Sequence, residues 1–293
     1  PQQSDKGKLA SMMVGRSVVL VVQKQKAKPG SVTLEVKDLV VEDSRGLTVV
    51  DHMGFEVRAG EILALAGVQG NGQTEVVRAL TGLMPIASGS VVFAGHDVAK
   101  ESVKERLREG IAHVPEDRQR DGLILQMSIA DNLVLDVYDV PPHAHHGARD
   151  LAEVRRNGAE KLVDFDIRAK SAEEVVSTLS GGNQQKVIVA RELSRETKLL
   201  IASQPTRGLD VGSIEYVHKR IVEERDRGTA VLLISSELDE VLALGDRIAV
   251  VYRGKITGVV DPTVGREKIG LLMAGVTEEE QTEPVAVASG VSE

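Results

Sequence analysis

Short β-rich apolar runs alternate with segments of helical periodicity along most of the chain. Helical patterns begin at about Thr74 and at about Val211, and a polar helical stretch lies between residues 115 and 198. Strands that alternate with helices predict a parallel sheet covered by helices on both faces. The predicted strands are residues 34–41, 61–68, 90–95, 110–115, 198–203, 230–235 and 246–252.

One segment, between about residues 117 and 176, departs from this alternation. SIADNLVL (128–135) and RDLAEVRRNGAEKLVDF (149–165) place apolar residues at helical spacing. We therefore predict a helical insertion into the alternating pattern.

Both ends of the chain differ from its middle. Residues 1–30 predict a linker, and residues 276–293, which include three consecutive glutamates at 278–280, predict a disordered acidic tail. Residues 8–15 share a pattern with residues 268–275. A true repeat would make the chain open with the last helix of a preceding copy, whereas short apolar segments also match by chance.

Composition narrows the class of protein. The 293 residues are 42% apolar and 27% charged, which excludes wholesale disorder and fits one large domain or two small ones. A net charge of −8 and an aromatic content of 2% argue against broad nucleic-acid binding. The chain has no cysteine, so disulfides and thiolate metal sites are excluded. No apolar run approaches the roughly 18 residues of a membrane span, and no signal-peptide pattern opens the sequence.

A glycine-rich stretch, GVQGNGQT, follows the strand EILALA and precedes a predicted helix. Its spacing is that of the phosphate-binding loop GxxxxGK[ST], with glutamine at the lysine position. Backbone N–H groups of such a loop approach phosphate oxygens, and the helix adds its positive N-terminal end. A plain glycine-rich strand-to-helix turn is the alternative. The residues assigned to phosphate binding are Gly67, Gly70, Asn71, Gly72, Gln73 and Thr74.

Residues 179–186 read LSGGNQQK. This string resembles the LSGGQ signature of ATP-binding cassette (ABC) proteins, in the form typical of simple-sugar and nucleoside importers. The resemblance implies that Ser180, Gly181, Gly182 and Asn183, at the start of a helix, contact a terminal phosphate held by a partner cassette. A polar helix cap with no such role is the alternative.

The resemblance covers about residues 31–275 and implies the fold. It is an α/β P-loop NTPase of the ABC type, with a RecA-like core, an N-terminal β region and a helical subdomain at about 117–186. Other cassette motifs follow in family order, including TRGLDVG, in which Asp210 marks the D-loop.

Several motif positions depart from the family pattern. Ser203 stands where the magnesium-binding aspartate belongs, Gln204 where the catalytic glutamate belongs, and Ser236 where the switch histidine belongs. Glu116 replaces the Q-loop glutamine, as second cassettes of sugar importers often have it. The segment VVEDSRGLTVV holds no aromatic residue to stack on adenine.

These departures predict a weak nucleotide site. Gln73 offers only neutral hydrogen bonds to phosphate, and charge-assisted bonds are about twice as strong. Gln204 cannot accept a proton, and losing a general base costs about 10²–10⁴-fold in rate. We therefore expect no intact catalytic residue, and ATP and Mg²⁺ weakly bound or absent. The remaining magnesium candidates are Thr74, Ser203 and Glu116.

The resemblance implies the second, degenerate half of a tandem ATPase subunit of a simple-sugar or nucleoside importer, at the cytoplasmic face of the membrane. Its implied partners are a complementary nucleotide-binding half, permease subunits and, indirectly, a substrate-binding protein, with no nucleic acid. Two alternatives stay open: a soluble tandem ATPase acting on ribosomes or nucleic acid, and a regulatory pseudo-ATPase.

Two further features permit different interpretations. His143, His145 and His146 suggest either a metal site or, as we favour, an exposed loop. The charged residues 118–121 (RQRD) suggest either a partner-docking surface or a solvated loop.

Overall fold

The computed structural model describes residue 22 and residues 24–276. The predicted acidic tail from residue 277 onward and the first copy of the possible repeat, residues 8–15, lie outside the described residues. The second copy falls on a helix, Gly265–Met273, and the two residues that follow it.

The largest sheet has six strands. From one edge to the other they lie in the order β12-β11-β3-β10-β9-β6. Five pair in parallel, as the alternating pattern predicts, and β12 adds an antiparallel edge. The central strands are buried along their whole length, so they consist of continuous apolar runs rather than alternating ones. The strands are β3 (Ile62–Ala66), β6 (Ile111–Val114), β9 (Leu199–Ser203), β10 (Ala230–Ser235), β11 (Arg247–Tyr252) and β12 (Lys255–Val260).

A second sheet is antiparallel. Its order is β2-β1-β4-β5, built from β1 (Val32–Glu42), β2 (Thr48–Arg58), β4 (Ser88–Phe93) and β5 (His96–Asp97). The sequence prediction that residues 34–41 and 90–95 join a parallel sheet was therefore wrong. Asp43 accepts backbone N–H bonds from Arg45 and Leu47 and closes a short turn, and strands joined by so short a turn pair antiparallel.

Helices cover the large sheet, and a two-stranded hairpin that the sequence pattern did not predict, β7 (Ala144–His145) and β8 (Ala148–Arg149), lies within the mainly helical stretch. A single π-helical turn, Arg118–Gly122, opens that stretch. The α-helices are α1 (Gln73–Leu80), α2 (Val103–Glu109), α3 (Ile129–Leu133), α4 (Leu151–Asp164), α5 (Gly181–Leu193), α6 (Val211–Asp226), α7 (Leu238–Leu244) and α8 (Gly265–Met273).

Two apolar clusters hold these layers together. One joins the two sheets through α1, where Val77 and Leu80 pack with buried residues of β2, β3 and β4. The other lies on the opposite face of the large sheet, where α5, α6 and α7 cover it. The glycine-rich loop that precedes α1 therefore starts from a buried strand and ends on a helix packed into this core.

Arg106 fixes the far end of α1. Its guanidinium is 2% exposed and donates to the carbonyl oxygens of Ala79 (2.6 Å) and Leu80 (2.7 Å). Arg106→Ala removes both bonds; the Ala79 oxygen keeps the Gly82 backbone N–H at 3.2 Å, whereas the Leu80 oxygen loses its donor. We therefore expect the change to lower the free energy of unfolding by about 2 kcal/mol. Urea denaturation measures this loss. Arg108→Ala, which removes an exposed arginine of the same helix, is the control and should cost less than about 1 kcal/mol.

Candidate functional site

The glycine-rich loop joins β3 to α1 and depends on its glycines. Gly70 and Gly72 have φ of +91° and +101°, a region that side chains disfavour. A Cβ on Gly72 would also lie 2.5 Å from the carbonyl oxygen of Val49. Asn71, which the sequence assigns to phosphate, uses its Oδ1 to accept from the Arg253 backbone N–H at 2.9 Å. That bond fastens the loop to the turn between β11 and β12.

The Gln73 side chain turns back into this loop and is 7% exposed. Its Oε1 accepts from the Asn71 backbone N–H at 3.1 Å, and its Nε2 donates to the Val68 carbonyl at 3.2 Å. The amide group that the sequence assigns to phosphate is therefore bonded to the loop itself.

The three magnesium candidates line one cleft beside the loop, together with Gln69, Gly70, Gln73, Gln204 and Ile234. Thr74 Oγ1 lies 3.3 Å from Glu116 Oε2, and Gln69 Nε2 donates to Glu116 Oε1 at 3.0 Å. Arg207 forms an ion pair with that same Oε1. Glu116 is thus the sole carboxylate among the three candidates, and the Arg207 guanidinium already pairs with it.

The residues at the base and switch positions contact each other. The Ser236 hydroxyl donates to Gln204 Oε1 at 3.3 Å, and Gln204 has a left-handed backbone with φ of +46°. The Gln204 backbone N–H donates to the Ile234 carbonyl at 2.7 Å, which holds this turn against β10. The structure therefore places an amide–hydroxyl pair at the end of β9, with neither an acid nor an imidazole.

Ser180 begins α5 as its N-cap. Its Oγ accepts from the Asn183 backbone N–H (3.4 Å) and side-chain Nδ2 (3.0 Å). Asn183 Oδ1 in turn accepts from the Arg168 backbone N–H at 2.9 Å. The capping role weighed from the sequence is present, and the Ser180 hydroxyl proton takes no part in these bonds. The Asn183 side chain stabilises the signature loop from within.

The signature and the D-loop lie against each other. A Cβ on Gly182 would lie 2.0 Å from Ser213 Oγ and 3.0 Å from Asp210 Oδ2. Asp210 caps α6, and the Ser213 hydroxyl donates to its Oδ2 at 2.7 Å. That hydrogen bond holds the pKa of Asp210 below its usual range. Any side chain at position 182 would therefore displace the Ser213 side chain and disturb its bond to Asp210.

Arg118 connects the RQRD segment to the same region. Its Nη1 donates to the Arg207 carbonyl at 2.9 Å, and its guanidinium lies close to Gly181. Gln119, Arg120 and Asp121 are exposed. Gln119 Nε2 also donates to Gln184 Oε1 at 3.1 Å, so the first two residues of the segment contact their own chain and the last two are the solvated part.

The three histidines do not form a cluster. Among the described residues, the group of metal-ligating type that the fold brings together is His96, Glu101 and Glu109. His145 and His146 are exposed, as we expected. The expectation was wrong for His143, which is 8% exposed although it lines a cavity, since its backbone is bonded to Val140 and Asp150; burial lowers its pKa. In the part of the chain that the structure covers, no helix has the length and apolarity of a membrane span.

Relatives of known name match most of the chain. The nucleoside import ATP-binding protein NupA of Lactococcus lactis subsp. cremoris is 48% identical over 91% of this chain and 53% of its own length. The guanosine import ATP-binding protein NupO of Bacillus subtilis is 42% identical over 95% of this chain and 55% of its own length. The glucose import ATP-binding protein TsgD13 of Haloferax volcanii is 39% identical over 91% of this chain and 49% of its own length. The chain therefore spans about half the length of these curated relatives.

Solved structures show the same fold. A nucleotide-free ATP-binding cassette from an ABC transporter superimposes with a TM-score of 0.68 at 20% identity, covering 83% of this chain and 96% of the cassette. An ATP-binding cassette of an ABC transporter in its ADP conformation gives a TM-score of 0.66 at 20% identity, covering 84% of this chain and 96% of the cassette. The family model described as ABC transporter matches residues 50–207, more than half of the chain. By this match and by its identity to these relatives, the chain belongs to the ATP-binding proteins of ABC transporters.

Proposed function

We propose that this chain is the second, degenerate half of a tandem ATPase subunit of an importer, and that it lends its signature to the partner half's nucleotide. The carrying observation is a contrast within one chain. Gln73, Gln204 and Ser236 bond to protein groups of their own site. The signature, by contrast, keeps the family's serine and glycines; Ser180 caps its own helix, and the start of that 13-residue helix lies beside an ordered D-loop. The N-terminus of a helix carries partial positive charge and free N–H groups, which favour an anion supplied by another molecule or domain.

The chain's own site fits Mg²⁺-ATP poorly. Mg²⁺ prefers hard oxygen ligands, usually one or two carboxylates with phosphates and water. Ser203 is uncharged, and Glu116 is paired with Arg207. Gln73 brings no charge to the phosphates. ATP binding here is therefore weak, and turnover of the assembled protein depends on the partner half.

The names of the relatives bear on the cargo and the partners. NupA and NupO are named for nucleoside and guanosine import and are 48% and 42% identical, against 39% for the glucose protein TsgD13. A nucleoside importer is therefore the preferred assignment, with simple sugars second. In either case the subunit would bind permease subunits at the cytoplasmic face of the membrane, and through them a substrate-binding protein. The charge of −8 argues against a nucleic-acid partner.

Co-purification tests this assignment. The tandem protein should be expressed with a tag from its own genomic context and extracted in mild detergent. We expect integral membrane permease subunits in stoichiometric amount, and none of the tagged protein in ribosome fractions on a sucrose gradient. Co-sedimentation with ribosomes and no permease would reject the importer in favour of the soluble tandem ATPase.

A further inference from the structure

The Gln73 side chain fills the inside of the phosphate loop, residues 67–74. Both ends of its amide are used, one on the Asn71 N–H and one on the Val68 carbonyl. A Cβ on Gly67 would lie 2.4 Å from Gln73 Nε2, so the amide also takes the space that a glycine leaves open. A polar side chain 93% removed from solvent is thus held by three neighbours of the same loop.

The bond to Asn71 is one that a lysine cannot make. Phosphate-binding loops present backbone N–H donors to phosphate oxygens. The Gln73 amide oxygen is an acceptor and takes one of these donors, whereas the lysine ammonium carries donors alone. Replacing lysine with glutamine therefore does more than remove a charge, because it supplies the loop with an internal acceptor.

We propose that Gln73 is an autoinhibitory residue: its side-chain amide occupies the phosphate position of its own loop and competes with the phosphate chain of a nucleotide for the backbone N–H donors. This inference rests on the proposed function, in which the chain's own site is the weak one. Nucleotide binds only to the fraction of loops in which the amide has turned out, so the apparent dissociation constant rises by the inverse of that fraction. With two hydrogen bonds to break, the expected penalty is about tenfold.

Gln73→Ala separates this mechanism from loss of charge. Alanine restores no positive charge, so a site weakened by charge alone would bind ATP no better. If the amide competes with phosphate, Gln73→Ala should bind about tenfold more tightly than the native chain, and Gln73→Lys more tightly still. Gln126→Ala is the matched control, because Gln126 is an exposed glutamine that does not line the cleft. It should leave the affinity unchanged within about twofold.

Titration calorimetry with Mg²⁺-ATP gives the affinities, and hydrogen exchange of the Asn71 amide gives a second readout. The Asn71 N–H should be protected in the native chain, should exchange faster in Gln73→Ala, and should regain protection when ATP is added. Folding of each variant is checked by its thermal midpoint.

A folded Gln73→Ala variant that binds ATP no better than the native chain, or shows no detectable binding, would overturn the inference. The proposed function fails on a different observation, namely rapid turnover by the native chain, so the two failures are distinguishable.

Discussion

The purified chain should release phosphate from ATP at less than about 0.1 per second, below the roughly 1–10³ per second of working enzymes. The reason is geometric as well as chemical. The Gln204 amide oxygen faces the Ser236 hydroxyl at 3.3 Å, so the base position holds a group that cannot accept a proton. Ser203 contributes no charge for a metal, and Arg207 neutralises Glu116. A continuous phosphate-release assay with Mg²⁺-ATP measures this rate.

Two variants test whether any residual phosphate release depends on Gln204 or on Gln73. Gln204→Ala should leave it unchanged, because Gln204 does no proton transfer. Gln73→Lys should tighten binding without raising turnover, since phosphate binding and the base are separate functions. A rate of about 1 per second or more that falls on Gln204→Ala would show that Gln204 takes part in catalysis, and the assignment of this site as degenerate would be wrong.

The second large effect concerns the signature, tested in the tandem protein that we propose. Gly181→Asp should reduce ATPase activity and transport by about a hundredfold or more. A carboxylate about 4 Å from a phosphate charge costs about 4 kcal/mol at a partly screened surface. Within this chain the change is tolerable, because the new Cβ would meet only the flexible end of Arg118. An acid in the first helical turn is also favourable for the helix itself.

The matched control is Gly181→Asn, which has nearly the same shape without the charge and should lose much less activity. Gly182 is a poorer test site, since a side chain there collides with Ser213 of the same chain. Gln204→Ala in the same tandem background should change ATPase activity and transport little. If Gly181→Asp left both intact, the signature would have no role in the partner's site, and the regulatory pseudo-ATPase would be the better account.

Local motifs were readable from the sequence because their chemistry depends on adjacent residues. The glycine-rich loop follows β3 and leads into α1, as its spacing predicts, and the segment that resembles the signature begins α5, as the resemblance implies. That Asp210 caps α6 was not predicted. The parallel strands were found because strands buried on both faces are continuous apolar runs. The resemblance implied an N-terminal β region, but the hydrophobic pattern missed β2 and the antiparallel pairing, because the alternation in β2 became meaningful only once the hairpin with β1 had formed.

By itself, the sequence determined which side chains stand at the motif positions: no lysine at position 73, no aspartate or glutamate at positions 203 and 204, and no histidine at position 236. Only the tertiary structure decided what the substituted groups contact. Glu116 pairs with Arg207, 91 positions away, and Ser236 with Gln204, 32 positions away. Gln73 turns inward because the loop curves back around it. The identity of a residue is read directly from the sequence, whereas the group that its side chain contacts depends on how distant segments pack. The sequence therefore showed which side chains are present, and only the structure showed which of them contact each other.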